Sequence, residues 1–172
     1  GFDIRHVDLG GGLGVAYKPE ESTPSIAEFV AKIKAKLDGR GLHVVLEPGR
    51  SIVAAAGVLL AKALYRKKTG DKDFVIVDAA MNDLIRPALY DAYHEILPLR
   101  QNRRPQIRAD IVGPVCETGD FLARDREMPE VMPGDVLAVC TAGAYGLVQA
   151  STYNARRLPA EVMVEGNRWC IV

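Results

Sequence analysis

The apolar positions of the first 46 residues change period twice. Residues 4–9 alternate weakly and end in glycines, which predicts a strand running into a loop. Pro24-Ser25 then opens a stretch in which Ile26, Phe29, Val30, Ile33 and Leu37 recur at three- and four-residue steps. That spacing is one face of a helix, and Gly39 and Gly41 end it. Leu42 to Leu46, with two adjacent valines, reads as a short buried strand. Strand, helix, strand is one unit of an alternating α/β fold with parallel strands.

Beyond this point short apolar runs dominate. Gly57 to Lys67, Phe74 to Asp78, Ile107 to Val115, Val136 to Ala142 and Glu161 to Val172 read as strands. Turn formers separate them at Thr69-Gly70-Asp71, Pro133-Gly134-Asp135 and Glu165-Gly166-Asn167. The spacing suits an antiparallel sheet folded as a small barrel or sandwich. A helical stretch from about Asp83 to Tyr93 interrupts it, and the basic segment Arg100 to Pro105 reads as a solvated loop. The expected organisation is α/β for residues 1–52 and β-rich for 53–172.

Composition narrows the functional classes. The chain has 172 residues, 48% hydrophobic and 26% charged, with 22 basic and 22 acidic side chains. That balance suggests neither a nucleic-acid surface nor an acidic tail. The longest apolar candidate, Ile52 to Leu64, is broken by Gly57 and Lys62, so no helix is expected to span a membrane. Gly1-Phe2-Asp3-Ile4 lacks the basic and apolar regions of a secretory signal and reads as an internal cut or processed end. Cys116, Cys140 and Cys170 form no CxxC pair, which argues for a reducing, cytoplasmic setting. His6, His43 and His94 form no metal-ligand pattern, so no metal is expected. Cys140, Cys170 and Trp169 read as core, and His6 and His94 as structural, with no partner that can be named.

Five short segments carry candidate chemistry. Gly10-Gly11-Gly12 follows a strand, and glycines let a backbone come close to a phosphate and offer N–H donors; a tight turn is the plain alternative. Glu47-Pro48-Gly49-Arg50 also follows a strand, suits an anion site, and has a surface Glu–Arg pair as its alternative. Arg86 and Tyr90, four apart, share a helix face and can converge on a carboxylate; otherwise Tyr90 is core and Arg86 solvated. In Cys116-Glu117-Thr118-Gly119-Asp120 the carboxylates are expected to raise the thiol's pKa, which suits a proton donor; a buried inert cysteine is the alternative. Gly143-Ala144-Tyr145-Gly146 frees Tyr145 to point from a turn, in a functional or a structural role.

In this order and spacing the segments resemble the second half of the diaminopimelate decarboxylases. These belong to the pyridoxal-phosphate decarboxylases with an alanine-racemase-like fold. The resemblance covers essentially the whole chain and implies the end of a (β/α)8 cofactor-binding barrel in residues 1–52 and a β-rich C-terminal domain after it. It also implies pyridoxal 5'-phosphate held by Gly10, Gly11, Gly12, the turn Glu47, Pro48, Gly49 and Arg50, and Tyr145, with Glu47 near the pyridine nitrogen. Arg50, Arg86, Tyr90, Glu117 and Tyr145 would bind an amino diacid, and Cys116 would protonate after carbon dioxide leaves. A homodimer is implied, because in the family the cysteine loop reaches the partner's site. Thr118 stands where a serine is more usual.

The family's Schiff-base lysine lies on an early barrel strand, and no lysine of this chain matches its motif. The expectation is therefore a C-terminal fragment that does not decarboxylate alone. The alternatives are a sister ornithine, lysine, arginine or carboxynorspermidine decarboxylase, or a non-catalytic regulatory homologue.

Overall fold

The computed structural model describes residues 2–101 and 103–172, so Gly1 of the expected cut end and Asn102 of the expected solvated loop lie outside the described residues. Strand β1 (His6–Asp8) pairs in parallel with β2 (His43–Val45), His6 opposite His43. Helix α1 (Ile26–Leu37) connects them. Ser25 caps it by accepting from the Glu28 N–H, and the Glu28 carboxylate returns to the Ser25 N–H, a capping box that satisfies two orphan donors. Phe29, Ile33 and Leu37 are half-buried, as the helical period predicts. β2 differs from expectation: all three residues are exposed, because among the described residues β1 is its only paired neighbour.

A short helix α2 (Arg50–Val53) and a 3-10 turn lead into β3 (Leu59–Thr69). Gly70 turns it into β4 (Lys72–Val77), after which come helix α3 (Arg86–Tyr90) and β5 (Ile96–Pro98). β6 (Gln106–Val112), β7 (Phe121–Pro129) and β8 (Val136–Val139) follow. These make a six-stranded sheet in the order β5-β8-β3-β4-β6-β7, whose end strands β5 and β7 approach one another. The sheet thereby curls nearly closed around Ala61, Val75, Val77, Ile111, Leu122, Leu137 and Val139. Every pairing is antiparallel except β4–β6, which is parallel. The expected all-antiparallel order fails there because the excursion through α3 and β5 is long enough for a parallel crossover.

Several local expectations are also corrected. The helix expected over 83–93 is only α3: Asp83 lies in a turn, and Asp91, with φ 51°, ends the helix left-handed. β7 hides in the sequence because Arg124, Asp125, Arg126 and Glu127 break its apolar run. The last segment is a separate hairpin, β9 (Val162–Glu165) with β10 (Arg168–Ile171), turning at Gly166. The hairpin does not join the main sheet, so Trp169 is 70% exposed and Cys170 is exposed rather than core. Cys140 is half-buried at the end of β8. Arg104 is not solvated: it is half-buried, donating to the Glu130 carbonyl at 3.2 Å and pairing with Asp135. No helix among the described residues is long and apolar enough to cross a membrane.

Candidate functional site

The glycine turn and the Glu47 turn are stitched together along the β1–β2 pair. The Leu9 N–H donates to the Val45 carbonyl at 3.1 Å, and the Glu47 N–H to the Gly10 carbonyl at 2.8 Å. A Cβ on Gly11 would stand 2.6 Å from the Glu47 carbonyl oxygen, so only glycine permits this approach. Gly12 has φ +84° and open space where a side chain would be. Glu47, Pro48 and Gly49 are exposed and Arg50 is half-buried. The Glu47–Arg50 ion pair that spacing allowed does not form among the described residues; Arg50 turns to aromatic rings instead.

Tyr145 reaches the same place from the turn after β8. A Cβ on Gly143 would fall 2.1 Å from the Val53 carbonyl oxygen, so this glycine lets the turn seat against α2; the Gly143 N–H donates to the Ala54 carbonyl at 3.0 Å. Tyr145 itself has φ 61°, a conformation uncommon outside glycine. Its hydroxyl lies 3.2 Å from where a Gly49 Cβ would stand. The Arg50 Cζ is 5.8 Å from the Tyr145 ring centre and 5.9 Å from that of Tyr17. Each contact is within cation–π reach.

Helix α3 supplies Arg86 and Tyr90. The Arg86 Cζ stands 4.8 Å from the Tyr17 ring centre, and Arg86 is only 5% exposed. Behind it the ring of His94 is fully buried, with Nε2 3.0 Å from the Arg86 Nη1 and Nδ1 2.9 Å from the Cys140 carbonyl. His94 therefore has partners that spacing did not suggest. Burial, then the charges of Arg86 and Arg126, push its pKa below the ordinary imidazole range, against the bond to Cys140.

A cavity of about 500 Å³ gathers Arg50, Arg86, Tyr90 and Tyr145 with Tyr17, Glu21, Ala92, Tyr93 and Gln149. Four residues singled out from three distant segments thus meet. Among the described residues neither arginine has a carboxylate partner; Glu21 accepts instead from the Tyr17 and Lys18 N–H groups, at 2.8 and 3.3 Å. The cavity presents two arginine forks and tyrosine hydroxyls, the chemistry that receives a small anion. Tyr17, Glu21 and Tyr93 stand in loops and Gln149 ends a single 3-10 turn, with no motif in the sequence to mark any of them as site residues.

Cys116 and Glu117 do not line this cavity. Both are exposed, on the loop between β6 and β7. The neighbouring Asp120, expected to bear on the thiol, turns inward instead, because its carboxylate accepts from the Val115 and Met81 N–H groups at 2.6 and 2.7 Å. Burial is the larger influence on it and raises its pKa. Gly119 packs toward Ala88, which is two residues from both Arg86 and Tyr90 and so on another side of α3. The cysteine loop and the cavity flank one short helix from different sides. The Tyr153 hydroxyl, also unforeseen, donates to the Glu117 carboxylate, and that bond raises the pKa of the phenol. Arg156 ties the Tyr153 turn down through Asn82 at 2.8 Å and the Asp78 carbonyl at 2.6 Å.

Residues 17–143 match the family model described as the pyridoxal-dependent decarboxylase, C-terminal sheet domain. The chain belongs to this family. Its six-stranded sheet lies within that family's sheet domain, and the Arg86 and Cys116 segments fall within the match, which ends at Gly143, two residues before Tyr145. The diaminopimelate decarboxylase of Pseudomonas aeruginosa is 55% identical over 98% of this chain and 40% of its own length. A crystal structure from Aquifex aeolicus superposes with TM-score 0.95 at 50% identity, over 99% of this chain and 42% of that one. The diaminopimelate decarboxylase of Helicobacter pylori, solved with L-lysine, gives TM-score 0.89 at 43% identity, over 98% of this chain and 41% of that one. The chain therefore spans about two-fifths of the length of the relatives it matches.

Proposed function

We propose that this chain is the C-terminal part of a pyridoxal-phosphate-dependent diaminopimelate decarboxylase, which releases carbon dioxide from meso-2,6-diaminopimelate to leave L-lysine, the last step of lysine biosynthesis. The observation that carries this reading is the cavity in which Arg50, Arg86, Tyr90 and Tyr145 meet with both arginines unpaired by carboxylate among the described residues. Relatives of about half identity bearing that name support the amino diacid over the substrates of sister decarboxylases. In this reading residues 1–52 complete a (β/α)8 barrel and 53–172 form the β-rich domain. Three free cysteines suit a reducing cytoplasm.

The residues fit pyridoxal 5'-phosphate. Open space at Gly10 and Gly12, the close seat of Gly11 on Glu47, and the Arg50–Tyr145 pair leave a glycine-walled, cationic edge for a phosphate. The cofactor, when bound, supplies a sink for the electron pair left as carbon dioxide departs. The chain's own side chains do the rest. Arg50 and Arg86 receive carboxylate charge bidentately. Tyr90 and Tyr145 add hydroxyl bonds that set orientation. Cys116 holds a proton on Sγ for the reacting carbon. Glu117, aligned by Tyr153, accepts from the substrate's distal ammonium.

Cys116 and Glu117 do not line the cavity of their own chain, which supports the reading that they serve the cavity of a second copy in a homodimer. The full-length enzyme tests all of this. It should release carbon dioxide from meso-diaminopimelate and ignore ornithine, lysine, arginine and carboxynorspermidine. Cys116→Ala should slow turnover far more than it weakens cofactor binding. Preference for any of the other four substrates, or equal losses in both quantities, would overturn the assignment.

A further inference from the structure

We propose that His94 is the positioning residue for Arg86: a neutral acceptor that aims the guanidinium into the cavity without cancelling its charge. The inference rests on the proposed role of Arg86 toward a substrate carboxylate. His94 is fully buried and does not line the cavity, so it acts from behind. Its Nδ1 stands 2.9 Å from the Cys140 carbonyl, and a carbonyl only accepts, so Nδ1 carries the hydrogen. The neutral ring then leaves a lone pair on Nε2, and the Arg86 Nη1 donates to it at 3.0 Å.

Burial and the neighbouring cations keep the ring in that state, against the bond to the Cys140 carbonyl. Arg86 faces it from α3, and Arg126 of β7 donates to the His94 carbonyl at 2.8 Å. Tyr17 meets the ring edge-on at 5.4 Å while also covering Arg86. Among the described residues the charges that act on the ring are those of Arg86 and Arg126, so a further positive charge on it is opposed from two sides. Arginine has five N–H donors, and His94 occupies one. The others remain for a ligand, and the full positive charge remains with them. A carboxylate at position 94 would hold the fork equally well but would spend its charge on the protein. The choice of imidazole is thus legible as chemistry: orientation supplied by a group that brings no negative charge.

The test uses the full-length, cofactor-loaded enzyme and four variants, His94→Gln, His94→Glu, His94→Phe and Arg86→Lys. KM and kcat are measured on the amino diacid, L-lysine affinity by calorimetry, and cofactor occupancy and thermal midpoint separately. A hydrogen bond to a charged group is worth roughly 1.5–3 kcal/mol, so His94→Phe should raise KM and the lysine Kd by roughly 10-fold or more while occupancy holds. His94→Gln, which keeps a neutral acceptor, should recover most of that loss. His94→Glu should not, although it too is an acceptor. A packing role would rank the variants by thermal midpoint and leave Gln and Glu alike in KM. That result, or an unchanged KM in His94→Phe, would overturn the inference. If the Phe variant does not fold, the Gln and Glu pair carries the test. If Arg86→Lys leaves KM unchanged, the reading of the cavity itself has failed; if it raises KM while His94→Phe does not, only the role of His94 has.

Discussion

The β1–α1–β2 unit and the six-stranded sheet both carry apolar patterns that read as regular elements, and the two have opposite fates. In the sheet Ala61, Val75, Ile111, Leu137 and Val139 are each 1% exposed or less. In the α/β unit no residue of either strand or of the helix is buried, and Ile26, Val44 and Val45 are 66%, 40% and 45% exposed. The sheet curls until its end strands meet, so each inward side chain faces another. The two short strands of the unit have one neighbour each and a single helix. Periodicity is local and makes the element; burial depends on what stands opposite. The cavity lies at the seam, with Arg50 and Tyr17 from the N-terminal side and Arg86, Tyr90 and Tyr145 from the sheet side.

The seam offers the largest break. Gly143→Ala places a Cβ 2.1 Å from the Val53 carbonyl and 2.8 Å from the Gly57 nitrogen, all backbone that must move. A loss of about 4 kcal/mol or more is expected, in the range of the most severe single substitutions. Gly12→Ala meets nothing within 4 Å and pays only for its φ of +84°, roughly 1–2 kcal/mol. Urea unfolding of the two variants checks the order; the reverse order would mean that the seam is not close-packed.

A smaller contrast lies between the regions themselves. Leu137→Ala, fully buried in the sheet, should lose about 2–5 kcal/mol, and Val44→Ala in β2 of the 172-residue chain should stay within about 0.5 kcal/mol. Equal losses would mean that the two regions are packed alike. The smallest effect is a pH slope. Folded His94 stays neutral below the ordinary imidazole value, whereas the unfolded chain takes up that proton below about 6.5. The unfolded state then binds more protons, so stability falls as pH drops from about 6.5 toward the folded value, by at most about 1.4 kcal/mol per pH unit. Thermal midpoints from pH 7.5 to 5 should show that slope, and His94→Gln should flatten it.

Much of the cavity's lining was legible because those residues sit in short motifs with turn chemistry. Arg50, Arg86, Tyr90 and Tyr145 could be singled out from Glu-Pro-Gly-Arg, from a four-residue helical step and from a glycine-flanked turn, and all line one cavity. What escaped notice was their support. Tyr17 stands between two guanidinium groups, His94 lies behind one of them, and Tyr153 reaches Glu117 across 36 residues. Such residues have no spacing rule, since each meets its partner only after the sheet has curled. Trp169 and Cys170 failed in the other direction: an apolar hairpin reads as core, yet among the described residues its strands pair only with each other and stay exposed.

The linear chain specified what depends on neighbours a few residues apart. Ser25 and Glu28 cap a helix, Gly70 and Gly166 turn hairpins, and glycines mark where backbones must come close. Tertiary structure settled what depends on distance in space. It put β4 beside β6 in parallel, turned Asp120 inward, set Cys116 apart from the cavity and faced a neutral histidine toward Arg86. The physical reason is range: capping and turns act within about one helical turn of chain, whereas burial and charge pairing depend on whichever surface folding brings into contact.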